Sequence, residues 1–312
     1  MAKLQSSEIV GVANRPATIC SNTMCIWFDT TNLKTVISYC GYGAGTWSAG
    51  GALIIARAYF GGTGTQNESL VAGGSGVTGD ASCTEEYNGT SWAAGGGLIT
   101  TRYHHALLGT QNEGLAVGGY AYPTPAVRCT EEYNGTSWSA GGALISGNWL
   151  IMGAGTQNVG LVAGNACTEE YNGASWSVGG AMIVNRNYLT GGGTQNEAFA
   201  SGGGGPVNCT EEYNGISWSA GGAMITARYN LEGSGAQNAG IVAGGISSTW
   251  LSCTEEYNGN SWSAASAIST AKRGLAVSGT QQSALATGGV SSQYWGDTQE
   301  YNKSFTIIDS IQ

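Results

Sequence analysis

Apolar and polar positions alternate along this chain in short runs, cut by glycine and by small polar turns. Residues 103–140 show the pattern. A first strand is predicted near Tyr103–Leu108, followed by the polar turn Gly109-Thr110-Gln111-Asn112. Gly114–Gly118 reads as the second strand, and a variable loop leads to the third at Cys129–Tyr133. Asn134-Gly135 is a strong two-residue hairpin signal, because both residues adopt positive φ readily. Thr136–Ala140 is the fourth strand. Side chains alternate along a strand, so Cys129, Glu131 and Tyr133 share one face and Thr130 and Glu132 the other. A two-residue turn sets Tyr133 opposite Thr136 and Glu131 opposite Trp138. Tyr133 and Trp138 then lie on one face, offset by one pair. A single small sheet cannot bury both rings, so a neighbouring sheet has to cover them.

The neighbours are in the sequence itself. CTEEYNG followed by tryptophan occurs five times, starting at Cys83, Cys129, Cys167, Cys209 and Cys253. Six tryptophans keep the register: Trp47, Trp92, Trp138, Trp176, Trp218 and Trp262, spaced 45, 46, 38, 42 and 44 residues apart. After Trp262 the pattern returns as GLAVSG, ALATGG and TQEYN, with Phe305 standing where a tryptophan would be. Before Trp47 lies a degraded unit with strand signals at Ala17–Cys20, Met24–Phe28 and Thr35–Tyr39. Counting both ends gives seven units. The expectation is an all-β chain, a seven-bladed β-propeller of four-stranded antiparallel blades, which hides the sheet edges by radial repetition. One domain would span residues 1–312, with a degenerate first blade over about 1–47, regular blades over about 57–305 and a closing segment at 306–312. Glu8–Val12 is a candidate extra edge strand for the last blade. A linear solenoid is the competing architecture.

These residues resemble the kelch-repeat β-propellers. The kelch pattern has a glycine pair ending the second strand, as at Gly73-Gly74, Gly118-Gly119, Gly202-Gly203, Gly244-Gly245 and Gly288-Gly289. It has a tyrosine in the third strand, as at Tyr87, Tyr133, Tyr171, Tyr213, Tyr257 and Tyr301, and a tryptophan opening the fourth. Kelch units often carry an arginine after that tryptophan. Here Arg57, Arg102, Arg186, Arg228 and Lys272 each stand ten positions after one, and Asn148 breaks the series. The near-identical units, rich in Gly, Asn, Thr and Ser, also resemble repeat-bearing bacteriophage structural or tail-associated proteins. That resemblance implies a capsid- or tail-associated virion component, assembled in the host cytoplasm, with other virion proteins as partners. A lectin-like propeller that binds a host surface glycan is the alternative.

Composition narrows the chemistry. Net charge is -9, and no basic run exists to grip a phosphate backbone, so nucleic acid is not an expected partner. No stretch approaches 18 apolar residues and the first residues do not read as a secretory signal, so neither membrane insertion nor a leader is expected. Five of the eight cysteines are repeat positions, too far apart to bridge, and read as buried free thiols. A bridge among Cys20, Cys25 and Cys40 stays open.

The only histidines, His104 and His105, are adjacent, and neighbours on a strand point to opposite faces. They cannot serve one metal together, and each reads as a rim or core residue. The copper-dependent propeller oxidases need a larger histidine set, so that activity is not expected. No Cys-x-x-Cys or Asp-rich calcium loop occurs, and no cofactor, metal or catalytic residue is assigned. The Glu-Glu pairs recur five times, whereas a catalytic carboxylate pair needs a unique setting. Glu85, Glu131, Glu169, Glu211 and Glu255 are expected to pair with the basic residues and hold the loop between fourth and first strands. The outward set, among them Glu86 and Glu132, is expected to form a solvated ring of charge. Variable loops between second and third strands are the better place for function. They supply the candidate interaction surface: Tyr120, Tyr122, Arg128, Trp250, Tyr294 and Trp295.

Overall fold

A computed structural model of the chain describes residues 11–12, 24–29, 34–76, 79–80, 82–123 and 126–311. Two compact units are present: Thr46–Asn302, and Met1–Gly45 together with Lys303–Gln312. Among the described residues there are strands and no helices. The Thr46–Asn302 unit is a β-propeller of four-stranded antiparallel blades.

In the second blade the strands run outward from the axis as Ala106–Gly109, Gly114–Val117, Thr130–Tyr133 and Trp138–Ala140. The first blade begins at Gly61–Gly64, the third at Met152–Gly155, the fourth at Thr190–Gly193, the fifth at Glu232–Ala236 and the sixth at Ala276–Gly279. The sixth blade takes its outer strand from the start of the unit: Thr46–Gly50 pairs antiparallel with Thr298–Asn302, setting Trp47 opposite Tyr301. The count of seven is therefore corrected to six. Trp47 and the pattern after Trp262 are two parts of one blade, and counting them separately added a unit. Closure by Thr46–Gly50 also replaces Glu8–Val12 as the closing strand of the last blade. Of that segment, Gly11–Val12 instead pairs parallel with Phe28–Asp29 in the other unit, and Glu8–Val10 lies outside the described residues.

Six blades need six interfaces, and six apolar clusters fill them. Leu108, Leu115 and Val117 of the second blade meet Val162, Tyr171 and Trp176 of the third. Val71 and Tyr87 of the first blade meet Ala276 and Leu285 of the sixth, which closes the circle. Glycine on the inner strands sets how closely blades approach. A Cβ on Gly62 would stand 2.5 Å from Ala276 Cβ, so no larger residue fits there.

The repeated words hold blade to blade. Each tryptophan indole N–H reaches back to a threonine of the preceding blade: Trp138 to Thr84 Oγ1 at 2.9 Å, Trp176 to Thr130 at 3.0 Å and Trp47 to Thr254 at 3.1 Å. Each glutamine of the first turn donates to two backbone carbonyls of the blade before it. Gln111 serves Ser69 and Tyr87 in this way. The outward glutamates are not a freely solvated ring. Tyr133 donates its hydroxyl to Glu86 at 2.5 Å, Tyr171 to Glu132 at 2.7 Å, and Tyr87 to Glu300 at 2.7 Å across the closing interface. Burial, and after it the hydrogen bond to Glu86, push the Tyr133 hydroxyl up to about 12, so it remains a donor.

Four of the five inward glutamates pair as expected; Glu169 does not, because Asn148 stands at its basic position. Arg57 meets Glu85 at 2.7 Å, Arg186 meets Glu211 at 3.2 Å, Arg228 meets Glu255 at 3.1 Å, and Arg102 meets Glu131. Each carboxylate also accepts two backbone N–H groups from the loop between blades. For Glu85 these come from Ile54 at 2.7 Å and Ile55 at 3.2 Å. Lys272 departs from the series and meets Asp297 at 2.6 Å.

The hairpin between third and fourth strands differs from the expectation. Tyr133 pairs directly with Trp138, and Glu131 with Ala140. The connection has four residues because the Asn134 side chain accepts from the N–H groups of Thr136 and Ser137, which curls the backbone before the strand resumes. The shared face holds, with ring centroids 4.8 Å apart.

The other unit contains one four-stranded sheet in the order Gly11–Val12, Met24–Asp29, Lys34–Tyr42 and Phe305–Ile311. Its first pair is parallel and the rest antiparallel. Phe305 thus opens a strand of this sheet and does not stand in for a blade tryptophan. Met24–Phe28 and Thr35–Tyr39 fall on its strands, and Ala17–Cys20 lies outside the described residues.

Candidate functional site

One residue per blade, just before the inner strand, has positive φ: Tyr59, His104, Leu150, Tyr188, Asn230 and Gly274, with φ between 50° and 61°. Their backbones join in a closed circle. The N–H of His104 donates to Tyr59 O at 2.8 Å, Leu150 to His104 at 3.0 Å, Tyr188 to Leu150 at 3.0 Å, Asn230 to Tyr188 at 3.0 Å, Gly274 to Asn230 at 3.1 Å, and Tyr59 to Gly274 at 2.7 Å. This collar crosses the axis at one end of the propeller.

Left-handed backbone costs about 1 kcal/mol or more for a bulky residue and nothing for glycine. The chain has 53 glycines, yet only Gly274 uses one in the collar. A Cβ there would meet the Tyr59 ring at 2.5 Å, so Gly274 makes room for Tyr59. Tyr, His, Leu and Tyr at strained positions indicate that their side chains matter more than local backbone ease.

Those side chains gather with their neighbours into an aromatic cluster. Tyr59 and His104 lie 4.4 Å apart, Tyr103 and His104 5.2 Å, His104 and Tyr188 6.0 Å, Trp149 and Tyr188 6.5 Å, and Tyr188 and Tyr229 5.8 Å. Arg273 places its guanidinium 5.9 Å from the Tyr59 ring centre. Burial, and then the charge of Arg273, lower His104 to about 3, so it is neutral at ordinary pH. His105 points away into the packing between blades. It is buried, its two ring nitrogens lack hydrogen-bond partners, and burial holds it well below the usual imidazole range.

Tyr120 joins this cluster, 5.0 Å from Tyr103 and 5.6 Å from Trp149. Tyr122 follows on the same loop and is 84 % exposed. Tyr294 pairs its backbone with Val290, which in turn pairs with Arg273 beside the collar. Trp250 is 42 % exposed on the equivalent loop of the fifth blade. Two of the expected residues are occupied with packing. Arg128 Nε donates to Leu144 O at 2.6 Å, and Trp295 donates its indole N–H to Ser291 at 2.8 Å while its backbone holds Arg57 and Gly289. Sequence reasoning missed Tyr59, Tyr103, His104, Trp149, Tyr188 and Tyr229. Their signal was an aromatic one or two residues after the basic position, changing from unit to unit where the rest of the unit does not change.

Inside the collar the inner strands enclose a cavity of about 350 Å³. Six strand edges that pair with no further strand wall it, and glycine is the commonest residue in its lining. Glu232 is its one carboxylate among the strand residues. Burial pushes it up to about 8, against the opposing effect of Thr190 and the Gly233 N–H. Thr190 donates its hydroxyl to Glu232 at 3.4 Å. Among the described residues no three His, Cys, Asp or Glu side chains gather as a metal site would require.

No protein-family model matches this chain, and no curated protein matches it.

Proposed function

We propose that this chain is a non-enzymatic interaction module of a bacteriophage virion, capsid- or tail-associated, built from kelch-like blades. Its aromatic collar is the contact face for another virion protein. One observation carries this reading: the units diverge at the collar while the residues that hold blade to blade are repeated. Tyrosine, tryptophan and inward carboxylate recur around the ring, whereas the collar and its preceding residues read Ala58-Tyr59, Tyr103-His104, Trp149-Leu150, Asn187-Tyr188, Tyr229-Asn230 and Arg273-Gly274. Residues that only hold blades together have no reason to differ between equivalent positions. A surface that meets one asymmetric partner does. Aromatic rings with a single arginine are also what central interface contacts favour.

The kelch-like reading is supported by the glycine pairs, which turn the chain after the second strand with both residues at positive φ, as at Gly118 (64°) and Gly119 (100°). The virion setting is supported by the style of the repeats alone. A glycan-binding role is the second reading, favoured by the same half-exposed rings with Asn187, Asn230 and Arg273 beside them, which suit the face and hydroxyls of a sugar.

Purification of the virion tests both. Under the proposal the chain co-purifies with one virion protein, and Trp149→Ala with Tyr120→Ala abolishes that contact while the fold survives. Binding on a glycan array, lost in the same variant and without a protein partner, makes the sugar reading correct. Neither contact, in a protein absent from virions, removes the proposal.

A further inference from the structure

The axial cavity has a composition that the collar does not explain. Its inner-strand lining is rich in glycine, with Thr63, Thr190 and Ser234 as hydroxyls and apolar residues such as Leu108 and Met152 between them. Thr63 and Ser234 are already committed: they donate to Gly109 O at 2.8 Å and Gly279 O at 2.7 Å across the blade interfaces. Glu232 is different. Its five counterparts around the ring are Gly61, Ala106, Met152, Thr190 and Ala276, so the carboxylate is not part of the repeat. It reaches the cavity surface and has no ion pair among the described residues. No lysine or arginine lines this cavity or the small one of about 30 Å³ beneath the collar, which Glu232 also borders. A lone carboxyl in a protein interior is held in its neutral form until a cation accompanies it, and binding of a cation then releases its proton.

We propose that the cavity binds a small organic ammonium ion, with Glu232 as its counter-charge and the unpaired carbonyls of the inner strands as hydrogen-bond acceptors. The volume matches a small-molecule site, and the acceptors are suited to the N–H groups of a primary amine. A divalent metal suits the cavity less, because calcium takes six to eight oxygens, usually with several carboxylates. The inference is independent of the virion reading, since it concerns the inside of the ring and not its contact face.

The test is isothermal titration of the full chain with 1,4-diaminobutane, with 1,4-butanediol as the uncharged control. The diamine should bind at one site, and the diol should not. Glu232→Gln should weaken diamine binding at least tenfold, and Glu113→Gln, exposed and outside the cavity lining, should leave it unchanged. Thr190→Val, which keeps the charge, should alter affinity less than Glu232→Gln. Binding near pH 7 should release close to one proton in the wild type and none in Glu232→Gln. The other titratable groups near the cavity are Tyr59, His104, His105, Tyr188 and Glu197; burial raises Tyr59 and lowers both histidines, so those three stay neutral at that pH. Equal binding of diamine by wild type and Glu232→Gln overturns the proposal. So does calcium or potassium binding in place of the diamine, or no binding by a wild type whose unfolding transition is intact.

Discussion

His105 sits where the other blades carry Phe60, Ile151, Leu189, Leu231 and Leu275. Its buried ring nitrogens find no partner, and such a group costs about 1–3 kcal/mol. His105→Leu should therefore stabilise the protein by about 1–2 kcal/mol in urea unfolding at pH 7. The pH dependence has a definite sign. The unfolded chain takes up a proton near pH 6.5 and folded His105 does not, so wild-type stability falls as pH drops below about 6.5. The advantage of His105→Leu should widen by about 2 kcal/mol between pH 6.5 and pH 5. An unchanged gap would mean that His105 is protonated in the folded state. Arg102 is the opposite case. Arg102→Ala leaves Glu131 buried without its guanidinium and should cost about 3–5 kcal/mol. The third blade shows how a carboxylate manages alone: Glu169 keeps the N–H groups of Ile145 at 2.8 Å and Ser146 at 3.1 Å, with Asn148 at the basic position.

At the level of strands and loops, the repeated words describe contacts between blades. Tyr133→Phe removes the hydrogen bond to Glu86 while keeping the ring against Trp138, and should cost about 2 kcal/mol. A cost below about 0.5 kcal/mol in urea unfolding would show that Glu86 is satisfied by water. Four strands per blade, the shared Tyr–Trp face and the inward Glu–Arg pairs were legible because each follows from period-two alternation and fixed spacing. The hairpin register was not. An Asn-Gly step fits both a two-residue and a four-residue loop, and the Asn134 side-chain bonds that select the longer one are invisible in the pattern. The outward glutamates were read as solvated because the tyrosines that bind them belong to the next blade.

Across the whole propeller unit, closure decides both the blade count and the site. Six tryptophans were legible, but which of them shares a blade with which strand depends on a contact between Thr46–Gly50 and Thr298–Asn302 that no local pattern encodes. Trp47→Ala should cost about 3–5 kcal/mol, and amide exchange should rise first along Thr298–Asn302. Protection unchanged on that strand would contradict closure by Trp47. The collar was only partly legible. Tyr120 pointed to it, but Tyr59, His104 and Tyr188 come together solely because six equivalent positions meet on the axis. The measurement that most directly tests the account is an electron cryo-microscopy reconstruction of the intact virion in which this chain is located. The account predicts the propeller at a defined virion position, with a neighbouring protein seated on the end that carries His104, Trp149 and Tyr188. A virion that lacks the chain, or one in which that end is bare and the contacts lie elsewhere on the ring, would contradict it.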